Sequence, residues 1–269
     1  MTKTHVTLDE IETRTTEALT RHGASPKVAR SVAKAVRVAE ATGNLICGLY
    51  YLESYCQQLT TERVNGTVEP VVTRPKAATV QVNAGFGFAQ PAFDAGLPDA
   101  LSAASDLGIA ALSIHHSHTC TSMGFFTEQI ARAGMIGIGM TNAPACVAPP
   151  GGAKPVLGTN PISMAVPNSD GGIGFAFDQS TSATAIGKVR VAASKGEQVP
   201  EGWIIDAEGN PTTEPKDMSS LLSSGGLYAH RSSRIWGRFV RKAQHIGRRS
   251  REPTRSPLAG TRKNSTLFS

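Results

Sequence analysis

The apolar residues of this 269-residue chain change period near Thr79, and that change limits the fold more than any other feature of the sequence. Before it, apolar positions recur at helical spacing. Residues 7–21 carry Leu8, Ile11, Ala18 and Leu19 on one face, with Thr7 and Glu10 spaced as a capping box. Gly23 ends that helix, and Ser25-Pro26 opens a second one with a capping hydroxyl followed by proline in the first turn. Val28, Val32, Val36 and Ala39 form its stripe, and Gly43 closes it. Leu49, Leu52, Tyr55, Cys56 and Leu59 give a third stripe. After Thr79 short strand-like runs alternate with helical ones: 79–82, 91–106, 109–114, 125–133 and 135–140 read β-α-β-α-β, with further strands at 162–166 and 174–177. The expectation is an α/β (α+β) protein: a small helical N-terminal domain over 1–75 and a sheet domain over 76–219.

A third region follows. Residues 220–269 hold 11 of the 27 basic side chains and a single acid, Glu252, a balance of +10; residues 1–219 hold 16 basic and 20 acidic side chains, a balance of −4. The basicity therefore belongs to the tail, whose Ser/Gly/Arg scatter keeps no period and is expected to stay disordered after about Ser219. Arg248-Arg249-Ser250-Arg251 would touch phosphates only nonspecifically, and a nucleic-acid partner is not expected. No apolar run is long enough for a membrane span, and the N-terminus has no signal-peptide core, so a cytoplasmic location is expected. Cys47, Cys56, Cys120 and Cys146 form no C-x-x-C pair, which argues for reduced thiols and against structural zinc. His115, His116 and His118 lack an evident further ligand, so no metal site is expected. His116 and His118 are read as hydrogen-bonding groups near a cofactor or substrate, with a plain loop role as the alternative.

No G-x-G-x-x-G follows a strand; Gly85-Phe86-Gly87-Phe88 has half of it, so a Rossmann site is not supported. Longer matches stand out instead. They are Asn142-Ala143 and Pro149-Pro150-Gly151-Gly152 ahead of Gly158-Thr159-Asn160-Pro161, then Asp178-Gln179-Ser180-Thr181-Ser182 with Gly187-Lys188. Gly202-Trp203-Ile204-Ile205-Asp206 with Gly209, Pro211-Thr212-Thr213 and Pro215 follows, and Ser117 with Gly124-Phe125-Phe126 fits in spacing. In this order, over about residues 7–218, they resemble the type-2 malate/L-lactate dehydrogenases, a non-Rossmann family.

The resemblance implies NADPH or NADH held by an unusual α/β domain, a helical domain beside it, a small-molecule substrate and a homodimer when full length. It implies reduction of 2-oxo acids or cyclic imine 2-carboxylates. Thr119, Cys120, Thr121, Ser122, Met123, Asp178, Gln179 and Ser180 would line the cofactor; Thr159, Ile186 and Gly187 would face the substrate, and Lys188 is a further substrate-binding candidate. The chain departs from the family's G-x-x-S-H-G-x-x-R-L-x-x-Y stretch. Ile46 stands for the serine, Cys47 for the proton-donating histidine and Tyr51 for the carboxylate-binding arginine; Lys188 stands where some members have a charge-relay aspartate.

A ketone accepting hydride needs a proton as the alkoxide forms, whereas a cyclic imine can be protonated first. Losing histidine therefore favours a Δ1-pyrroline-2-carboxylate or Δ1-piperideine-2-carboxylate reductase, giving proline or pipecolate, with Cys47 as a residual acid or a buried packing residue. The alternatives are a 2-oxo-acid dehydrogenase of the malate, lactate or ureidoglycolate type, and a truncated inactive relative or basic-tailed binding protein. The family's Gly/Lys-rich cofactor loop and returning C-terminal helices are not recognisable. Residues 227–233 can be encoded by codons that read close to that loop one nucleotide later, so a frameshift near 218–228 is expected. It would leave the Val28/Val32/Val36 stripe uncovered.

Overall fold

The computed structural model describes residues 5–118 and 121–224. Three helices come first: α1 (Leu8–Arg21), α2 (Pro26–Ala41) and α3 (Leu52–Thr60). Their starts follow from local chemistry. Thr7 Oγ1 accepts the Glu10 N–H at 3.1 Å, and Ser25 Oγ accepts the Val28 N–H at 3.3 Å ahead of Pro26. Between α2 and α3 the chain makes two 3-10 turns, Leu45–Cys47 and Leu49–Tyr51. Glu40 Oε1 pins this connection by accepting the Leu49 N–H at 2.7 Å.

The stripe on α2 is not left uncovered, contrary to the sequence-based expectation. Val28, Val32 and Val36 are buried with Leu19 of α1, Tyr55, Cys56 and Leu59 of α3, and Phe88. The first helices close over α2 themselves, and Phe88 from the sheet region completes the cover.

The sheet region is divided more finely than one βαβαβ run. β1 (Val71–Lys76) lies antiparallel to β2 (Thr79–Asn83), and β2 runs parallel to β3 (Ala111–His115) through the crossover helix α4 (Ala89–Leu107). The first sheet thus begins at Val71, ahead of the boundary read at 75. After α5 (Gly124–Arg132) the chain leaves that sheet. β4 (Gly137–Met140), β5 (Ile162–Pro167) and β6 (Ile173–Gln179) form a second, antiparallel sheet with β5 in the middle. α5 lies close on it: Thr127 Oγ1 and Ser163 Oγ are 3.1 Å apart, and a Cβ at Gly137 would stand 2.7 Å from the Thr127 carbonyl.

α6 (Ile186–Lys195) is followed by a third small sheet in the order β8 (Pro211–Thr212), β7 (Ile204–Ile205), β9 (Ser220–Leu221). The Asp206–Gly209 signature is the turn of its β7–β8 hairpin. Asp206 Oδ1 accepts the N–H groups of Asn210 at 2.8 Å and Glu208 at 3.0 Å. These bonds, led by that of Asn210, hold its carboxyl below the usual carboxylate range. Order therefore does not end at Ser219. Leu221 is fully buried against Val147, Val189, Val199 and Ile204, with Trp203 partly buried on the same cluster. Ser223 bridges to Ser182. Two strand residues with one apolar side chain give no period to detect, which is why composition placed them in the tail. The rest of the tail expected to be disordered over 220–269, with its basic segment and the last part of the 218–228 stretch where the frameshift is expected, lies outside the described residues.

Among the described residues no helix is long and apolar enough to cross a membrane. Nor do three His, Cys, Asp or Glu side chains come together where they could hold a metal ion.

Candidate active site

Four segments meet, of which the end of β6 and the start of α6 are near in sequence and the other two are far from them. The first is the double turn 44–51. The second is the start of α5, the third the end of β6 with its continuation to Ser182, and the fourth the first turns of α6. Asp178 joins two of them. Its Oδ2 accepts from Ser122 Oγ at 2.7 Å and from the Gly124 N–H at 2.8 Å, groups 56 and 54 positions away. Two stretches nominated separately for the cofactor, Thr121 to Met123 and Asp178 to Ser180, are thus held side by side. Gln179 is exposed and Ser180 half-buried. Thr119 and Cys120 lie outside the described residues.

The Gly158-Thr159-Asn160-Pro161 loop supplies the floor. A Cβ at Gly158 would overlap the Ala143 carbonyl, so only glycine fits there. Asn160, buried and at φ +32°, accepts the Ala143 N–H on Oδ1 at 2.9 Å. The Thr159 carbonyl receives the Thr181 N–H and Oγ1, each at 2.8 Å, and Ser180 Oγ at 3.1 Å. Beyond it the Ala183 N–H donates to the Leu222 carbonyl and the Ser224 N–H to that of Thr181. Thr159 is therefore tied to the Asp178 stretch, and that stretch to the third sheet.

The turn carrying Cys47 packs on α6. A Cβ at Gly187 would stand 2.7 Å from Ile46 Cγ2 and 3.1 Å from Tyr50 Cε1. Gly187, nominated for the substrate, is accordingly against Ile46 and Tyr50, the chain neighbours of Cys47 and Tyr51, while Ile186 packs on the cluster of the third sheet. Burial, and next the Asp178 carboxylate, push the Cys47 thiol up to about 11, against a hydrogen bond with Asn44. Burial and then Tyr50 raise Tyr51, while Arg190 draws it down. Both groups are protonated at neutral pH. Cys146 is raised by burial and lowered by the Thr159 backbone and by Arg190.

The histidines stand elsewhere. His116, at φ +51°, stacks on Phe86 with ring centroids 5.0 Å apart, and its Nδ1 is 3.1 Å from Asn83 Oδ1. The His118 ring lies edge-on to Phe88, which itself packs on Tyr55 and, through it, on Tyr51. Two rings thus lie between His118 and Tyr51. Burial, and then Arg63, hold His118 below the usual histidine range, so at neutral pH it has no proton to spare. Lys188 is exposed and, at 100° per residue, falls roughly 100° past Gly187, turned away from the Ile186 side of α6.

Sequence reasoning missed Arg190, Gln90, Tyr50 and Cys146. A helical reading of 186–195 would have exposed Arg190, because it shares a face with Ile186 and Gly187. Gln90 had no signal in the sequence: it is fully buried at the start of α4, its Nε2 3.4 Å from Thr121 Oγ1. Its Oε1 has no hydrogen-bond partner among the described residues. An orphan acceptor costs about 1–3 kcal/mol, so a bound group that brings an N–H or O–H to this point fits. Asp178 has the complementary limit. Its charge repels a phosphate, and its Oδ1, for which no hydrogen bond is formed among the described residues, suits a hydroxyl or carboxamide. A dinucleotide that turns its ribose or carboxamide toward Asp178 and Gln90 is compatible with these residues.

A mixed α/β chain with non-Rossmann sheets, an Asp-tethered helix start and a Gly-Thr-Asn-Pro floor defines a narrow class. The chain belongs to the malate/L-lactate dehydrogenase family, whose sequence profile matches residues 6–234. It is 37% identical over 226 residues to a Δ1-pyrroline-2-carboxylate/Δ1-piperideine-2-carboxylate reductase of Pseudomonas putida, covering 84% of this chain and 65% of that protein. It is likewise 37% identical over 210 residues to a (2R)-3-sulfolactate dehydrogenase (NADP(+)) of Chromohalobacter salexigens, covering 78% of this chain and 62% of that one. Among solved structures, the Δ1-piperideine-2-carboxylate reductase of Pseudomonas syringae pv. tomato superposes with a TM-score of 0.81 at 33% identity, covering 87% of this chain and 71% of that chain. The chain thus spans slightly less than two thirds of the length of the curated relatives it matches.

Proposed function

We propose that the chain is a nicotinamide-dependent reductase of cyclic imine 2-carboxylates, acting on Δ1-pyrroline-2-carboxylate or its six-membered homologue. The observation that carries this reading is the acidity of Cys47. General acids work best with a pKa near the operating pH. A thiol held at about 11 is poorly matched to quench an alkoxide at neutral pH. His118 is neutral and lies beyond Tyr55 and Phe88. The site therefore suits a substrate that arrives with its proton already in place. A protonated cyclic imine takes hydride at the ring carbon bearing the carboxylate, its C=N electron pair moves to nitrogen, and a neutral amine results with no anion left over. The nicotinamide, when bound, supplies the hydride.

The residues of the chain do the rest. Thr121, Ser122, Met123, Asp178, Gln179 and Ser180 hold the cofactor, together with Thr119 and Cys120. Thr159, Ile186 and Gly187 form the substrate wall, and Tyr51, protonated, donates to the carboxylate. The names of the relatives support the imine, and NADP(+) in one of them supports NADPH over NADH. A cytoplasmic homodimer belongs to the same reading.

The test is a comparison of kcat/KM for Δ1-pyrroline-2-carboxylate with that for pyruvate and 3-sulfopyruvate, with NADPH and with NADH. The imine is expected to exceed both ketones by at least about 10², the lower end of what a positioned acid contributes. Equal values on a ketone would overturn the substrate class. The sulfonated ketone is included because identity to the sulfolactate dehydrogenase is as high as to the imine reductase.

A further inference from the structure

We propose that Arg190 is the cation that binds the substrate's carboxylate. The proposal deepens the reductase reading and rests on it. Its ground is the face of α6. Ile186, Gly187 and Arg190 follow at helical spacing, and at 100° per residue Arg190 projects between the other two. Gly187 faces Ile46 and Tyr50 within 3.1 Å of its Cβ position, and Ile186 packs on the cluster that also holds Cys146. An arginine between them lies on the side of α6 that meets Ile46, Tyr50 and the cluster of Cys146. The electrostatics agree: its charge is felt at both Tyr51 and Cys146, in each case favouring the anion.

The guanidinium is also uncommitted. Arg14, Arg21, Arg37 and Arg132 each pair with a carboxylate, while no ion pair is formed by Arg190 among the described residues. Of the acids around the site, Asp178 has one oxygen taken by Ser122 and Gly124, and Glu40 accepts the Leu49 N–H. An exposed, unpaired arginine beside two protonated groups offers two parallel N–H donors to a planar carboxylate. Lys188, on a different side of the helix, does not.

The chain's other candidates are weaker. The apolar outer face of the second sheet, with Ile138 and Phe175, shows nothing that covers it. The Phe86–His116 stack is strained, but no ligand group points to it.

The experiment uses the 269-residue chain with Arg190→Gln, Arg190→Lys and, as a control on the same helix, Lys195→Gln. Binding of L-proline and of pyrrolidine, which lacks the carboxylate, is measured by ligand-observed NMR. Melting curves confirm that the exposed substitutions leave the fold intact. Removing one charge-assisted bidentate contact is expected to weaken L-proline about 10- to 100-fold. Arg190→Lys should recover part of this, and Lys195→Gln and all pyrrolidine binding should stay unchanged. In turnover the same loss appears in KM for Δ1-pyrroline-2-carboxylate with kcat little altered.

Unchanged L-proline affinity in Arg190→Gln overturns the proposal and leaves the reductase reading standing. A chain that binds and reduces a 2-oxo acid but not the imine, with Arg190→Gln still weakening the acid, overturns the imine reading and keeps Arg190. Wild-type protein that binds no small carboxylate overturns the assignment of Arg190.

Discussion

Cys47 sits where burial and a neighbouring carboxylate act in the same direction. Its thiol is raised from an ordinary 9.0 to about 11, so the folded chain holds this proton more tightly than the unfolded one. That contribution to stability is complete below pH 9.0 and is lost as pH rises through about 11. Two measurements follow. Alkylation of Cys47 by iodoacetamide, read by peptide mass spectrometry, should rise with a midpoint near 11; a midpoint at or below 9.0 would contradict the burial. Cys47→Ala should flatten the fall in urea stability over the same alkaline range. It should also reduce imine turnover by less than about tenfold, against the ~10²–10⁴-fold cost of losing a general acid. The replacement of histidine by Cys47 was plain in the sequence. The direction of its pKa was not, because Asp178 lies over 100 positions away and only the fold brings it near.

At the scale of elements, legibility followed length and capping. α1 and α2 could be placed from Thr7, Ser25 and Pro26, whose side chains do cap or open them. α4 was placed within two residues at each end, although Pro98 lies inside it. β1 was missed because Pro75 interrupts its run. An edge strand tolerates that proline, and the register with β2 shifts between Thr73 and Lys76. α6 was missed because Gly187 in its first turn reads as a breaker, yet glycine is there to admit Ile46. The third sheet was invisible because its strands are two residues each. It is nonetheless a packed element. Leu221→Ala should destabilise the chain by about 2–5 kcal/mol, since the residue is fully buried in its cluster. Urea unfolding checks this; a change below about 0.5 kcal/mol would show that order does end near Ser219.

For the whole molecule the decisive contact is the seam between the helical unit and α6, because no single segment contains the site. The family motifs could be read in order along the chain, but no spacing or motif signals that Ile46 lies on Gly187. A Cβ at Gly187 would come 2.7 Å from Ile46 Cγ2, closer than real Cβ atoms come, and 3.1 Å from Tyr50 Cε1. Gly187→Val should therefore push α6 away from the Cys47 turn. Because Gly187 lies in the first turn of α6, and because α1, α2 and α3 bury Val32 and Val36 with Tyr55 and Phe88, the helices themselves should persist. The expected result is unchanged far-ultraviolet circular dichroism, faster proteolysis at residues 44–51, and weaker binding of both L-proline and NADPH. Ile46→Ala removes the side chain that is struck, so the double variant should recover most of the loss. The coupling energy of that cycle is expected at about 1–3 kcal/mol, the range for residues in contact. Additive losses would mean that the two residues do not meet, and that the site is not assembled across this seam.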